Sequence, residues 1–254
     1  MICFTESGHP SFEEIKGHPC LAAMIGCMAA CGEPRDDFWL LLDDAGQVGA
    51  WLCRTGDCLY TTGSPIYGEE ISAFVNLMGF GCVETDIPLT LTGAQKSTNV
   101  AMQWQGLSDR AIFTEGTLTS TQGREEVPIA ELTGLLHRIH MLPDRDAAGE
   151  MAVILLHRIR EGRAAALMLR EERRVQAVAA ITHIGCGFAM IGGVAVSPEY
   201  RHQGLGSRIA AATAKLAVDQ GYLPLLACNE RRVSFYTRIG FTPIIPFYRY
   251  ERTN

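Results

Sequence analysis

Hydrophobic positions recur along this chain with two periods, and the switches between them lay out its elements. From Pro128 onward, Ile129, Leu132, Leu135, Leu136 and Ile139 fall on one helical face. A second helix follows: Asp144 or Asp146 can cap its start, Met151, Ile154, Leu155 and Ile159 mark its buried stripe, and Gly162 ends it. Three strand-like segments come next, Ala164 to Arg170, Val175 to His183 and Phe188 to Val196. The turns between them, 171–174 and 184–187, are short enough to predict an antiparallel meander. Pro198 stops the third strand. A long amphipathic helix then runs from about Gly204 to Gln220, with Gly221 placed as its C′ residue. Leu223 to Cys228 reads as a short buried strand, Glu230 to Ile239 as a helix closed by Gly240, and Phe241 to Tyr250 as a terminal strand.

The first half is less regular. Phe38 to Leu42, Val48 to Arg54 and Cys58 to Thr62 predict another meander, with turns at 43–46 and 55–57. A helix from Glu69 to Met78 leads into Gly79-Phe80-Gly81 and a strand from Cys82 to Glu84. The stretch from 105 to 128 is polar and turn-rich with no helical period, which divides the chain into an N-terminal α+β domain (1–125) and a second α/β domain (126–254). Helix, Gly-Phe, then strand also describes Tyr236 to Pro243. This hints at an internal duplication whose first copy has lost its glycine-rich loop; chance similarity is the competing explanation, since glycine commonly follows a helix.

Composition narrows the classes. The chain has 254 residues, 47% of them hydrophobic, enough for a substantial core. A net charge of −6 and the absence of any basic run argue against nucleic-acid partners. The N-terminus lacks a charged n-region and apolar h-region, and no apolar run approaches the roughly 18 residues that span a bilayer. The expectation is a cytoplasmic protein with no membrane partner. Nine cysteines without a Cys-x-x-Cys read as reduced thiols acting as small hydrophobes; Cys20, Cys27 and Cys31 share a helix-like stretch with Met24 and Met28. His137 and His140 lack a third ligand at a supporting spacing, so no metal is expected. Trp39, Trp51 and Trp104 read as packing residues rather than a substrate cage.

The segment with chemistry runs from Gly193 to Arg208, Gly-Val-Ala-Val-Ser-Pro-Glu-Tyr-Arg-His-Gln-Gly-Leu-Gly-Ser-Arg. A buried strand enters a loop with glycines two apart, and the loop opens into a helix. Consecutive N–H groups at such a start have no intrahelical acceptor and stand at the positive end of the dipole. That arrangement binds anions, pyrophosphate above all. Arg201 can add a charge-assisted hydrogen bond. A Walker loop is excluded because Ser207-Arg208 follows Gly206. A dinucleotide fingerprint is excluded because position 209 is isoleucine and only 48 residues follow Gly206.

Arg201-His202-Gln203-Gly204-Leu205-Gly206 resembles the Arg/Gln-x-x-Gly-x-Gly/Ala signature of the GNAT superfamily of N-acetyltransferases. The resemblance extends to Val194 to Tyr200 before it and to Asn229 to Phe241 after it, where an Asn, a Tyr seven residues on and Gly-Phe recur. It covers about half the chain. It implies the GNAT fold, a central mixed, mostly antiparallel sheet flanked by helices, preceded here by a smaller and degenerate GNAT-like half. It also implies acetyl-CoA as cofactor and a primary amine, on a small molecule or a peptide, as acceptor in a direct transfer.

The resemblance further assigns roles. Val194 and Val196 would offer backbone groups to the pantetheine arm. Main-chain N–H groups of Arg201, His202, Gln203, Gly204, Leu205, Gly206 and Ser207 would hold the pyrophosphate. Asn229 would contact the pantetheine arm or stabilise the splay of two central strands, and Tyr236 would protonate the departing thiolate. Many relatives carry a glutamate early in the strand before the signature, where this chain has Phe188-Ala189-Met190-Ile191. Glu150 and His183 are the candidate bases; a surface carboxylate and a strand-end imidazole are the competing readings. A non-catalytic acyl-CoA-binding or sensing protein is the alternative function. The first half would wall the acceptor pocket or mediate a homodimer.

Overall fold

Two hairpins show how local chemistry sets the meanders. Between β2 (Asp36–Leu42) and β3 (Val48–Thr55), Asp43 Oδ1 accepts the N–H groups of Ala45 (2.9 Å) and Gln47 (2.8 Å), and Gly46 takes φ 76°. Between β9 (Arg174–Gly185) and β10 (Phe188–Val196), Cys186 (φ 51°) and Gly187 (φ 82°) form a tight turn with two left-handed residues, whose twist matches that of the strands. These elements come from a computed structural model. It describes the chain except for residues 16–20, 32–35, 107–117, 121–127, 140, 143, 172, 173 and 254. Cys20, His140 and most of the expected linker therefore lie outside the described residues.

The chain forms two compact units that are not single stretches of sequence. One comprises Met1–Met102, Ala227–Val233 and Pro243–Asn254; the other comprises Gln103–Leu226 and Ser234–Thr242. Contact thus groups residues from both ends of the chain.

In the second unit the strand order is residues 223–226 of β11 (Leu223–Asn229), then β10, β9, β8 (Ala165–Glu171), β7 (Leu118–Ser120). The β7–β8, β8–β9 and β9–β10 pairs are antiparallel, and β10–β11 is parallel. Helix α4 (Ile129–Arg138) and helix α5 (Arg145–Arg160) cover one face. There Leu132, Leu135, Leu136 and Leu155 pack on Ala166, Met168, Val178, Ala180 and Ala195. Helix α6 (Leu205–Asp219) covers the other, where Ile209 and Ala212 meet Leu167, Leu169, Ala177 and Ala179. Each such leucine contributes about 1.5–3 kcal/mol by burial, more than the intrinsic helix propensity of a ten-residue segment supplies.

Asp144 caps α5: its Oδ1 accepts the Ala147 N–H at 2.8 Å. Ile154, expected on the buried stripe of α5, is instead exposed. The helix turns Ala148, Leu155 and Arg158 inward, a line on which residue 154 does not fall. Arg158 satisfies part of its guanidinium by donating to Thr182 O (3.3 Å).

The first unit has the strand order β1 (Ile2–Thr5), β2, β3, β4 (Cys58–Gly63), β5 (Cys82–Thr85), then residues 243–252 of β12 (Phe241–Arg252), then residues 94–102 of β6 (Ala94–Trp104). Strands β4 and β5 are parallel. Helices α1 (Ser11–Glu14) and α2 (Leu21–Cys31) cover one face through Phe12 and Ile25 against Phe38, Leu40 and Cys53. Helix α3 (Gly68–Met78) covers the other through Ile71 and Val75 against Leu41, Leu52, Leu59 and Val83.

The duplication is visible in element order. Strand, two helices, three strands, a 3-10 turn, a helix and a parallel strand occur from β1 to β5 and again from β7 to β11. Each 3-10 turn has the sequence Ser-Pro-x-Tyr, at 64–67 and 197–200. In the first copy α3 begins at once with Gly68. In the second, Arg201 to Gly204 intervene before α6. The four-residue insertion is the glycine-rich loop that the first copy lacks.

Candidate functional site

The site is built where β10 ends. Ser197 is buried; its N–H donates to Gln176 O (2.8 Å) and its hydroxyl to Val175 O (2.7 Å). Its carbonyl accepts from Tyr200 N–H (2.9 Å), so the exit from the strand is held from both sides. The loop then winds through two left-handed residues, His202 (φ 63°) and Gly204 (φ 76°), and Gly204 stands at the helix N-cap. Histidine pays for that backbone with about 1 kcal/mol of strain.

The consequence is a row of free donors. Arg201 N–H is used, donating to Pro198 O at 3.4 Å. The N–H groups of His202, Gln203, Gly204, Leu205, Gly206 and Ser207 have no hydrogen-bond partner among the described residues; the first helical bond of this turn runs from Arg208 N–H to Gly204 O at 3.1 Å. Arg201, His202, Gln203 and Gly204 are exposed. No acidic residue lies in the first turn of α6, so its dipole is uncompensated. The first copy differs: α3 carries Glu69 and Glu70 in its first turn, which repel an anion.

The two glycines do different work. A Cβ on Gly204 would meet nothing within 4 Å, so its requirement is conformational. A Cβ on Gly206 would lie 3.4 Å from Val196 Cγ2 and 3.5 Å from Phe235 Cζ, ordinary contact on the protein side of the helix.

Upstream, β10 carries an irregularity. Its parallel register with β11 runs from Phe188↔Leu223 to Ile191↔Leu226, and its ladder with β9 shifts between Gly192 and Ala195. Gly193 takes φ 61° inside that bulge, and a Cβ there would sit 3.3 Å from Leu136 Cδ1. A bulge re-aims backbone groups out of the ladder. The side chains of Val194 and Val196 pack toward α6 with Leu205, so main chain is what this part of β10 can offer a ligand.

Tyr236 lies in α7 (Glu230–Thr237), half-buried, its ring edge-on to Phe235 (centroids 4.9 Å) and Phe241 (5.8 Å). Loop, β10 bulge and Tyr236 fall in one compact unit. Asn229 ends β11, is exposed, and belongs to the residues of the other unit.

The candidate bases separate. Glu150 is an exposed residue of α5. His183 sits opposite Met190 in the β9–β10 ladder, with Nδ1 3.0 Å from Thr182 Oγ1 and its buried Nε2 without a hydrogen-bond partner among the described residues. Burial, then the Arg158 cation, lowers its pKa to about 3. His183 is thus a neutral imidazole with little capacity to hold a proton. His137 lies in the last turn of α4 with Nδ1 3.4 Å from Leu142 O.

The tryptophans are structural: Trp39 is core, Trp51 donates to Ser11 O (3.0 Å) and Trp104 to Ile239 O (3.0 Å). Ser197 and Phe235 are the residues that sequence reasoning passed over. The signal for Ser197 was the repeated Ser-Pro-x-Tyr.

Residues 132–241 match the model of the acetyltransferase (GNAT) family. Several solved structures share the fold. A GCN5-related N-acetyltransferase-like protein from Streptococcus suis superposes with a TM-score of 0.61 at 13% identity, covering 96% of this chain and 99% of that one. An acetyltransferase from the GNAT family of Colwellia psychrerythraea gives 0.58 at 11% identity over 100% of both chains. A tandem GNAT protein from the clavulanic acid biosynthesis pathway gives 0.57 at 11% identity, covering 98% and 97%. No curated protein matches. Among the described residues, no helix is long and apolar enough to cross a membrane, and no group of three His, Cys, Asp or Glu side chains could hold a metal.

Proposed function

We propose that this chain, whose residues 132–241 match the acetyltransferase (GNAT) family, moves an acetyl group from acetyl-CoA to a primary amine by direct transfer. The observation that carries the reading is the run of unpartnered N–H groups from His202 to Ser207 at the start of α6. Such a nest fits a pyrophosphate, and the Arg201 guanidinium adds a cation beside it. The bound thioester supplies the activated acetyl group.

The chain's own residues do the rest. Backbone groups of the β10 bulge at Gly193 and Val194 would align the pantetheine arm and polarise the carbonyl through an N–H. Tyr236 would give its phenolic proton to the departing thiolate, and Phe235 and Phe241 hold its ring for that role. Holding amine and thioester together supplies much of the acceleration. With His183 neutral and β10 free of carboxylate between Phe188 and Ile191, the amine proton would leave through water. The same absence of a built base favours a second reading, a protein that binds acyl-CoA without turnover.

Titration calorimetry with CoA, followed by thiol release from acetyl-CoA across a panel of amines, tests both. Binding with amine-dependent thiol release supports the transferase. Binding without release from any amine supports the sensor. No binding of CoA removes both. One CoA per chain is expected, because Gly68 starts α3 with no loop before it and the first turn of that helix carries the acidic Glu69 and Glu70.

A further inference from the structure

Outside the proposed acyl-transfer site, the first unit holds a pair of thiols. Cys58 opens β4 and Cys82 opens β5, and the two are direct partners in the parallel register. Partners in adjacent strands have Cα atoms about 4.8 Å apart, inside the ~4.4–6.8 Å that a disulfide spans. The neighbouring Cys82 thiol lowers the Cys58 pKa against the opposing pull of burial; the Arg249 cation lowers it further, while Glu84 and Asp57 push it up. The Cys58 neighbour and burial raise Cys82. One sulfur is therefore disposed to be the thiolate and the other its proton-bearing partner.

The backbone fixes this arrangement. Asp57, in the exposed turn before β4, accepts the N–H groups of Gly81 (2.9 Å) and Cys82 (3.1 Å) through its carbonyl. The start of β5 is thereby pinned to the residue beside Cys58. Cys58 is half-buried at the rim of that turn, whereas Cys82 is buried. The neighbouring buried sulfurs elsewhere face methionines, Cys53 against Met28 (3.6 Å) and Cys228 against Met102 (3.6 Å). Arg249, which bonds Glu84 and Glu251, supplies the local positive charge.

We infer that Cys58 and Cys82 form a reversible dithiol oxidation site in the N-terminal repeat, with a peroxide as oxidant. The Cys58 thiolate attacks hydrogen peroxide, giving a sulfenic acid and hydroxide. The Cys82 sulfur then attacks the sulfenic sulfur, the S–S bond forms and water leaves. Two thiols lose two electrons and two protons in total, and two waters result. The bond would tie β4 to β5 across the segment that carries the 3-10 turn and α3. Drawing the Cβ atoms together from their cross-strand separation strains the bridge and keeps it reducible by a dithiol. Nothing in this step passes through the acyl-transfer site.

The test is a non-reducing peptide map of the whole protein after brief treatment with stoichiometric hydrogen peroxide and alkylation of remaining thiols. Combined cleavage after Arg54, Glu69, Glu70 and Glu84 releases Cys58 in 55–69 and Cys82 in 71–84, away from every other cysteine. The expected result is a linked pair of these peptides, lighter by two hydrogens and released by dithiothreitol. In Cys82→Ser, dimedone should trap a sulfenic acid at Cys58; in Cys58→Ser, neither product should appear. Two alkylated peptides from oxidised wild type, or a Cys58 that runs on to sulfinic acid without the link, would overturn the inference.

Discussion

Gly204 and Gly206 are two residues apart, yet the structure gives them opposite expected responses to alanine. Gly204 has φ 76° and open space around its missing Cβ, so Gly204→Ala costs the left-handed penalty alone, about 1–2 kcal/mol. At roughly 2–4 °C per kcal/mol for a chain of this size, the thermal midpoint should fall by about 2–8 °C. Relief of that strain by rotation to negative φ would turn the neighbouring amides out of line, so CoA affinity should fall as well. Losing two of these hydrogen bonds to a charged group, at about 1.5–3 kcal/mol each, predicts a drop of at least about 100-fold. Gly206 sits in helical backbone with 3.4–3.5 Å of room toward Val196 and Phe235. Gly206→Ala gains helix propensity of up to about 1 kcal/mol and projects away from the free amides. It should leave CoA binding within about threefold and the midpoint unchanged or higher, within the few-tenths error of such sums. Calorimetric titration with CoA and thermal unfolding of both variants decide the matter. If Gly206→Ala abolished binding while Gly204→Ala bound normally, the assignment of ligand-facing amides and protein-facing Cβ would be wrong.

Three further outcomes follow from the same geometry. Tyr236→Phe should lower amine-dependent thiol release by about 100-fold or more with CoA affinity intact; equal rates for both proteins would remove the general-acid role. His183, with a pKa lowered to about 3 against about 6.5 unfolded, favours the native state fully above pH 6.5, and that advantage drains as the pH falls toward 3. Thermal midpoints between pH 7.5 and 5 should therefore fall more steeply for wild type than for His183→Asn, and parallel curves would show that the imidazole is not held neutral. Asp144→Ala deletes the side-chain cap of α5 and should cost about 1 kcal/mol by urea unfolding; no change in midpoint would mean that tertiary packing alone holds the first turn.

Much of the architecture was legible along the chain because its determinants are local. Helices α3, α4, α6 and α7 and strands β2 to β5 and β8 to β11 begin and end close to where periodicity, caps and turns placed them. The loop from Arg201 to Gly206 announced itself, since a strand end, two glycines and a helix start lie within a few residues of one another. Strand β6 did not. Its first half, Ala94 to Asn99, is polar, and only Ala101 and Met102 are buried, so the alternation that marks a strand is missing. The stripe of α5 also misled, because Val153, Ile154 and Leu156 are apolar and yet turned outward.

Sequence alone determined the order of elements from Ile129 onward and the glycine-rich loop before α6, and it hinted at a duplication, all matters of neighbours in the chain. Tertiary structure decided that residues 243–252 of β12 join the unit of the first repeat, that Cys58 pairs with Cys82 in the strand register, and that the His183 Nε2 is enclosed with the Arg158 cation close enough to act on it. It also decided that the amides of His202 to Ser207 find no acceptor among the described residues. These depend on pairing and burial between residues far apart in sequence, and such contacts leave no periodic trace in the chain that makes them.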